Sequence, residues 1–394
     1  MEKLFSTIIY ENPLPQLRSR QSAFPSLCVL PSGKILAAHQ IGEAFESIDG
    51  TTYISVSDDG GRSFSKPRRV FDKSNEKVVL NDNGKPTLLP DGRIAILGYM
   101  FYRDDPELPI GNPETGGLLR DEAFIAFSND GGESFGERMV IKTSFGNSVE
   151  ASAPLTLLAD GSIAAPITGF ADWDGVMKHR NCGRLLRSFD GGKTFEDSVV
   201  CTAFEGDGVT CFEQRMCQTE DGTIVVISWN ENLKTGERMN NHITISTDNG
   251  KSFSAPIDTR IHGQASSIIS LGENRVMTIH AVRRDTEEPG IYAAIADISG
   301  GKWKLESIER IWKPDTPVTK DKHMAEIFAY MKFGQPNGII TDDGKLLLCH
   351  WECKNGQYRT LLHAYRIRIR RRAQSTIEKE HKIKKEELRR ISTL

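Results

Sequence analysis

No stretch of this 394-residue chain approaches the about 18 consecutive apolar residues that a membrane-spanning helix needs. The opening residues, Met1-Glu2-Lys3-Leu4-Phe5-Ser6, lack the apolar run of a secretory leader, so a cytoplasmic protein is expected. A disulfide framework is missing too: seven cysteines, an odd number without framework spacing, read as reduced thiols. Cys349 and Cys353 flank His350, but a strand-like stretch does not shape a metal site, and neither metal nor cofactor is expected. Charge of one sign is scarce as well. The 50 Lys/Arg against 53 Asp/Glu leave a net charge of −3, with no electrostatic footprint for nucleic acid or a membrane surface.

What the chain has is repetition. The pattern S-x-D-x-G-x-[ST]-F occurs at Ser57–Phe64, Ser128–Phe135, Ser188–Phe195 and Ser246–Phe253, roughly every 60 residues. The Asp can bond backbone N–H groups ahead of it and fix a tight turn. The Gly supplies a positive φ, the hydroxyl ties the turn together, and the Phe anchors it in apolar packing. Nothing in this box is catalytic; it reads as structure.

A second repeat precedes each box. Apolar runs broken by a tight turn centre on Pro31-Ser32-Gly33-Lys34, Pro90-Asp91-Gly92-Arg93, Ala159-Asp160-Gly161-Ser162, Glu220-Asp221-Gly222-Thr223, Gly272-Glu273-Asn274-Arg275 and Asp342-Asp343-Gly344-Lys345. Such runs read as β-hairpins. A degraded fifth box, Ala296 to Trp303, keeps Gly300 and the aromatic. Six hairpins, each with a second strand pair, predict an all-β, six-bladed propeller of four-stranded antiparallel sheets over residues 1–369. Leu4 to Tyr10 is expected to join the last blade and close the ring. Residues 370–394 differ in kind: from Arg366 the chain holds 11 Lys/Arg against 4 Glu, and Ser375-Thr376-Ile377-Glu378 is a capping-box pattern. A charged helical or disordered tail is expected there.

Topology assigns faces. Hairpin and box turns share one face of the disc. The opposite face carries the residues just before each first strand (Phe24, Lys85, Glu150, Glu213, Gln264, Gln335, Asn337) and those after each second strand (His39, Glu43, Tyr99, Asp172, Trp173, Trp229, Asn230, His280, Arg283, Arg284, His350, Trp351). Carboxylates, His, Arg and Trp thus converge near the axis. Aromatic faces pack on sugar rings and paired carboxylates cleave glycosidic bonds, so the set suits an oligosaccharide. Glu150 and Glu213, before the first strands of successive blades, are the foremost pair: one as nucleophile or base, the other as acid. Each equally suits a rim carboxylate that balances a neighbouring Arg or Lys. Asp49 and Glu46 are rival acids. Lys85, Asp172, Trp173, Arg215, Trp229, Gln264, His280, Arg283, Arg284, Asn337, His350 and Trp351 are expected to contact substrate.

Boxes and hairpins together resemble the sialidase superfamily of Asp-box propellers, over about residues 20 to 365. The resemblance implies a pocket in which three arginines hold a substrate carboxylate, a Glu activates a Tyr nucleophile and an Asp serves as acid/base. Phe212-Glu213-Gln214-Arg215-Met216 is similar to the segment around that Glu. Ala23 stands at the first arginine's place; Trp229, Asn230, Asn240 and Asn241 stand near the second, with Arg238 close by; Arg283 or Arg284 matches the third. The Tyr's segment reads Gln335-Pro336-Asn337-Gly338, with Tyr330 upstream. Without two arginines the charge-assisted grip on a carboxylate is largely lost. The pair Glu150 and Glu213 is similar in placement to the two glutamates of exo-arabinanases in the same clan. A glycosidase acting on a neutral or weakly anionic glycan is therefore expected. The alternatives are an exo-sialidase or related acid-sugar hydrolase with a rearranged arginine cluster, a non-catalytic glycan-binding propeller, and a polysaccharide lyase using His280 with Arg283. Sugar, linkage, stereochemistry and oligomeric state do not follow from the residues.

Overall fold

The computed structural model describes residues 1–74, 76–206, 208–315 and 332–367. The charged tail and Tyr330 lie outside them. Within them six antiparallel sheets are arranged as blades, with a further two-stranded ribbon, Glu231–Asn232 with Glu237–Arg238, after the second strand of blade 4. Blade 1 holds the strands Gln21–Val29, Ile35–Gly42, Thr51–Ser57 and Arg68–Arg69; blade 2 holds Leu80–Leu88, Ile94–Tyr102, Asp121–Ser128 and Met139–Ile141. Blade 3 has Ile163–Gly169, Gly183–Ser188 and Val200–Thr202 behind an inner strand split into Val149–Glu150 and Thr156–Leu157, with Pro154, which has no N–H to donate, in the gap. Blade 4 runs Phe212–Gln218, Ile224–Trp229, His242–Ser246 and Ile257–Asp258; blade 5 runs Ser266–Gly272, Arg275–Val282, Gly290–Asp297 and Lys304–Trp312. Blade 6 joins Phe333–Ile340, Lys345–Lys354 and Gln357–Arg366 to Glu2–Tyr10, so the N-terminal strand closes the ring as its sequence suggested.

The core is distributed between blades. Each of six apolar clusters joins neighbouring sheets, for example Leu36 and Ile54 with Ile96 and Phe124 between blades 1 and 2. The last, Leu27 and Ala37 against Leu347 and Leu362, seals blade 6 to blade 1. No helix among the described residues is long and apolar enough to cross a membrane. All seven cysteines are free and buried.

The box turns behave as their residues dictate. In the first, Asp59 accepts from the backbone N–H of Arg62 at 2.9 Å and of Ser63 at 3.0 Å, and from Ser63 Oγ at 2.6 Å. Ser57 Oγ accepts from Gly61 N at 2.8 Å. The same net recurs around Asp130, Asp190 and Asp248. Hairpin and box turns do share a face: Arg93 of one hairpin donates to Gly191 O of the next blade's box at 2.9 Å, and Asn249 donates to Asp160 at 2.9 Å. The fifth, degraded box survives as a single 3-10 turn at Ser299–Gly301, with Trp303 donating to Thr259 O at 3.1 Å. Box glycines also abut the preceding blade. At Gly132, φ is +90° and a Cβ would meet Leu36 Cδ1 at 2.8 Å. Gly132→Ala is therefore expected to destabilise the fold by more than about 1 kcal/mol, read by denaturant titration, while activity below the transition is unchanged.

Candidate active site

The face opposite the boxes gathers the polar residues. Glu213 sits at the start of the inner strand of blade 4, at a register shift between Phe212 and Arg215. Equivalent shifts occur at Ala23/Ser26 in blade 1 and Gly334/Asn337 in blade 6. Each carries one non-glycine residue in the left-handed region: Phe24 at φ +56°, Glu213 at +44° and Gln335 at +41°. Such backbone costs roughly 1–3 kcal/mol per residue and persists only where the surroundings enforce it. All three lie at the start of an inner strand, at one end of the axis.

The carboxylates are held from both ends. The main-chain N–H of Glu213 donates to Glu150 Oε2 at 3.0 Å. Ser152 Oγ donates to the other Glu150 oxygen, and Arg215 Nη1 donates to Ser152 Oγ at 3.0 Å. At its far end, the Glu213 carboxylate accepts from Trp229 Nε1 at 2.9 Å and from Gln335 Nε2 across the ring. The Glu213 side chain therefore runs from Glu150 at its backbone to Gln335 at its carboxylate. Glu150 is 4% exposed, whereas Glu213 is half-buried. Burial first, and the Glu213 charge second, push the Glu150 carboxyl up to about 7.

Cations surround the pair. Lys85 Nζ donates to Phe24 O at 2.6 Å and to Asn83 at 3.2 Å; burial, then Arg215, lower its ammonium to about 7. Arg283 is engaged by Gln264 Oε1 and Phe333 O, and lies 6.0 Å from the Trp351 ring. Arg284 pairs with Glu231 at 3.4 Å and lies 5.7 Å from the Trp229 ring. Arg238 pairs with Asp285 at 3.0 Å. Arg215, Arg283 and Arg284 each serve a protein acceptor. Two aromatic groups flank the carboxylates. Phe24, Phe45, Trp351 and Tyr358 pack with centroids 4.9–6.4 Å apart. Tyr99, Phe170, Phe212 and Trp229 form the second group, at 5.1–6.5 Å. Along the axis an apolar cavity of ≈ 280 Å³ touches Arg215 and Asn337.

Several expectations need correction. Lys85, His280, His350 and Trp351 lie inside strands that run further than the hairpin pattern implied. His280 is fully buried, bonded to Asn241 at 2.9 Å and Thr278 at 2.8 Å, and burial lowers it to about 3. His350 is equally buried, bonded to His363 at 2.9 Å and packed 4.4 Å from Trp312. Neither ring offers a nitrogen to a substrate, so His280 is not placed to act as the base of a lyase. Asp49 is committed to its own loop: it accepts from Ser47 Oγ at 2.6 Å and Glu43 N at 2.9 Å and pairs with Arg20 at 2.8 Å. Its rival Glu46 accepts from Ile110 N at 3.1 Å. Asp172 closes a turn with Val176 N at 3.0 Å and Lys178 at 2.9 Å, and Trp173 O is held by Asn112 and Thr115. Asn337 turns its Oδ1 to Leu27 N at 3.3 Å beneath the site. Gln335, Phe45, Phe170 and Tyr358 were missed as site residues. The rule of position that found Glu213 also covers Gln335, Phe45 and Phe170; Tyr358, on a third strand, carries no such signal.

No family model matches the chain, and no curated protein does. Among solved structures, a protein of unknown function from Dyadobacter fermentans DSM 18053 matches with a TM-score of 0.72 at 18% identity, over 93% of this chain and 99% of that one. Hadza microbial sialidase Hz136 gives 0.61 at 13%, over 88% and 66% of the two chains. The Trypanosoma rangeli sialidase with the inhibitor DANA gives 0.57 at 13%, over 88% and 55%. The chain thus spans 66% and 55% of those two sialidase chains. At these identities it is the architecture that is shared, and the chain has the six-bladed propeller fold of the sialidases.

Proposed function

We propose that the protein is a glycoside hydrolase acting on a neutral or weakly anionic glycan, with Glu213 and Glu150 as its working carboxylates. The contact of Glu150 with the backbone of Glu213, with opposite environments for the two acids, carries this reading. Paired carboxyls that differ in burial divide into acid and base. Glu150, raised to about 7, holds a proton near neutrality for the leaving oxygen. Glu213, fixed by Trp229 and Gln335, supplies negative charge at the anomeric centre. The flanking aromatic groups offer faces for sugar rings. Sialidases with this fold act on sialic acid; here Ala23 replaces one arginine, and Gln335, which is no nucleophile, meets Glu213 where the resemblance calls for a tyrosine. Both departures support a sugar other than sialic acid and a chemistry without a tyrosyl intermediate.

A panel of nitrophenyl glycosides with arabino-, fuco- and sialo-oligosaccharides tests the reading. Release of a neutral sugar without release of sialic acid is expected. Hydrolysis of sialosides alone, or glycan binding with no hydrolysis, would refute it.

A further inference from the structure

The carboxamide of Gln335 is used on one side only. Its Nε2 donates to Glu213, and because a carboxylate only accepts, this fixes which end of the amide faces that residue. The other end, Oε1, is buried without a protein donor, in a residue 8% exposed. Buried acceptors without a partner are uncommon, and each asks for a water or a ligand hydroxyl. The backbone holds the group there at a cost: φ is +41° at Gln335 and +44° at Glu213. Gly334 beside it leaves no room for a side chain, since a Cβ would meet Trp351 Cζ2 at 2.8 Å, so the indole packs against the chain next to the amide. Trp351 Nε1 is itself buried without an acceptor.

We propose that Gln335 Oε1 and the Glu213 carboxylate together hold the water that attacks the anomeric carbon. The inference rests on the hydrolase reading and makes Gln335 a catalytic residue. One water hydrogen is donated to Gln335 Oε1 and the other to Glu213, leaving an oxygen lone pair for the sugar. As the new C–O bond forms, Glu213 takes the water proton and the bond to the leaving oxygen breaks. That oxygen receives the proton of Glu150. Charge and atoms balance with water as the only co-reactant. The amide cannot form a covalent sugar ester, and Glu213 is occupied as base. The attack is therefore a single displacement, and the anomeric configuration inverts.

Three measurements test the proposal. A crystal structure of the wild-type protein is expected to show an ordered water within hydrogen-bond reach of both Gln335 Oε1 and Glu213. A protein donor on Oε1, or no water there, would overturn it. Proton NMR of the sugar released from the glycoside selected by the panel is expected to show inverted product first. Gln335→Leu is expected to lower kcat about 10²-fold with KM changed less than about threefold, because only the attacking water is lost. Gln335→Asn, which keeps the carboxamide, controls for misfolding and is expected to recover part of that loss. Hydrolysis with retained configuration overturns the water site and leaves the hydrolase reading intact. An ordered water without hydrolysis of any glycan tried overturns the hydrolase reading, and the attacking role of the water with it.

Discussion

Replacing Glu213 by Gln is expected to lower kcat/KM by about 10²–10⁴-fold, the range for removal of one positioned acid–base group. The protein should fold normally. Glu213 is half-buried, its oxygens accept only from Trp229 and Gln335, and an amide of the same shape retains one acceptor. The backbone N–H bond to Glu150 does not involve the altered atoms. A circular-dichroism melt close to wild type, combined with lost turnover, separates a chemical role from a structural one. Wild-type turnover in this variant would remove Glu213 from the mechanism, and with it the assignment of the site.

The second large effect concerns pH. Glu150 is raised from the usual 4.5 to about 7, mainly by burial and then by the charge of Glu213. The protonated form is the acid, so activity is expected to fall about tenfold per unit as pH rises above 7. Glu150→Gln should lack that alkaline limb and turn over slowly at every pH. Stability has its own sign. The folded protein keeps a proton that the unfolded chain releases near 4.5, so stability falls as pH rises from 4.5 towards 7 and levels off above it. Glu150→Gln cannot ionise and should flatten this dependence in urea titrations at pH 5 and pH 8. A wild-type profile with no alkaline limb, or a variant that keeps it, would assign the proton to another group.

Much of the fold was legible because its signals are local. An Asp two residues after a Ser, with Gly two residues further on, determines its own turn, and Ser57, Ser128, Ser188 and Ser246 each build the expected net. A hairpin turn in every blade, with a box turn in each of the first four, then fixes the strand directions, which puts Glu150 and Glu213 on one face. The contact between them was readable as proximity of blades 3 and 4. What lay hidden depends on strand length and on contacts across the ring. His280 and His350 were assigned to subsites because strand ends are blurred in sequence, and strands that continue to Val282 and Lys354 carry both rings into the sheets. The bond from Gln335 to Glu213 spans 122 residues, and no local pattern announces it. Asp49 and Asp172 were named for their charge, but short loops with Arg20 and Lys178 at hand satisfy them locally. The left-handed backbone at Phe24, Glu213 and Gln335 also has no signature, since none of the three is a residue that favours it.

The measurement that bears most directly on the paired carboxylates is a crystal structure of the Glu213→Gln variant with the uncleaved oligosaccharide selected by the panel. The scissile bond is expected between residue 213 and Glu150, with a sugar ring against Trp229 or Trp351. A glycan seated away from both acids, or on the face that carries the box turns, would contradict the account.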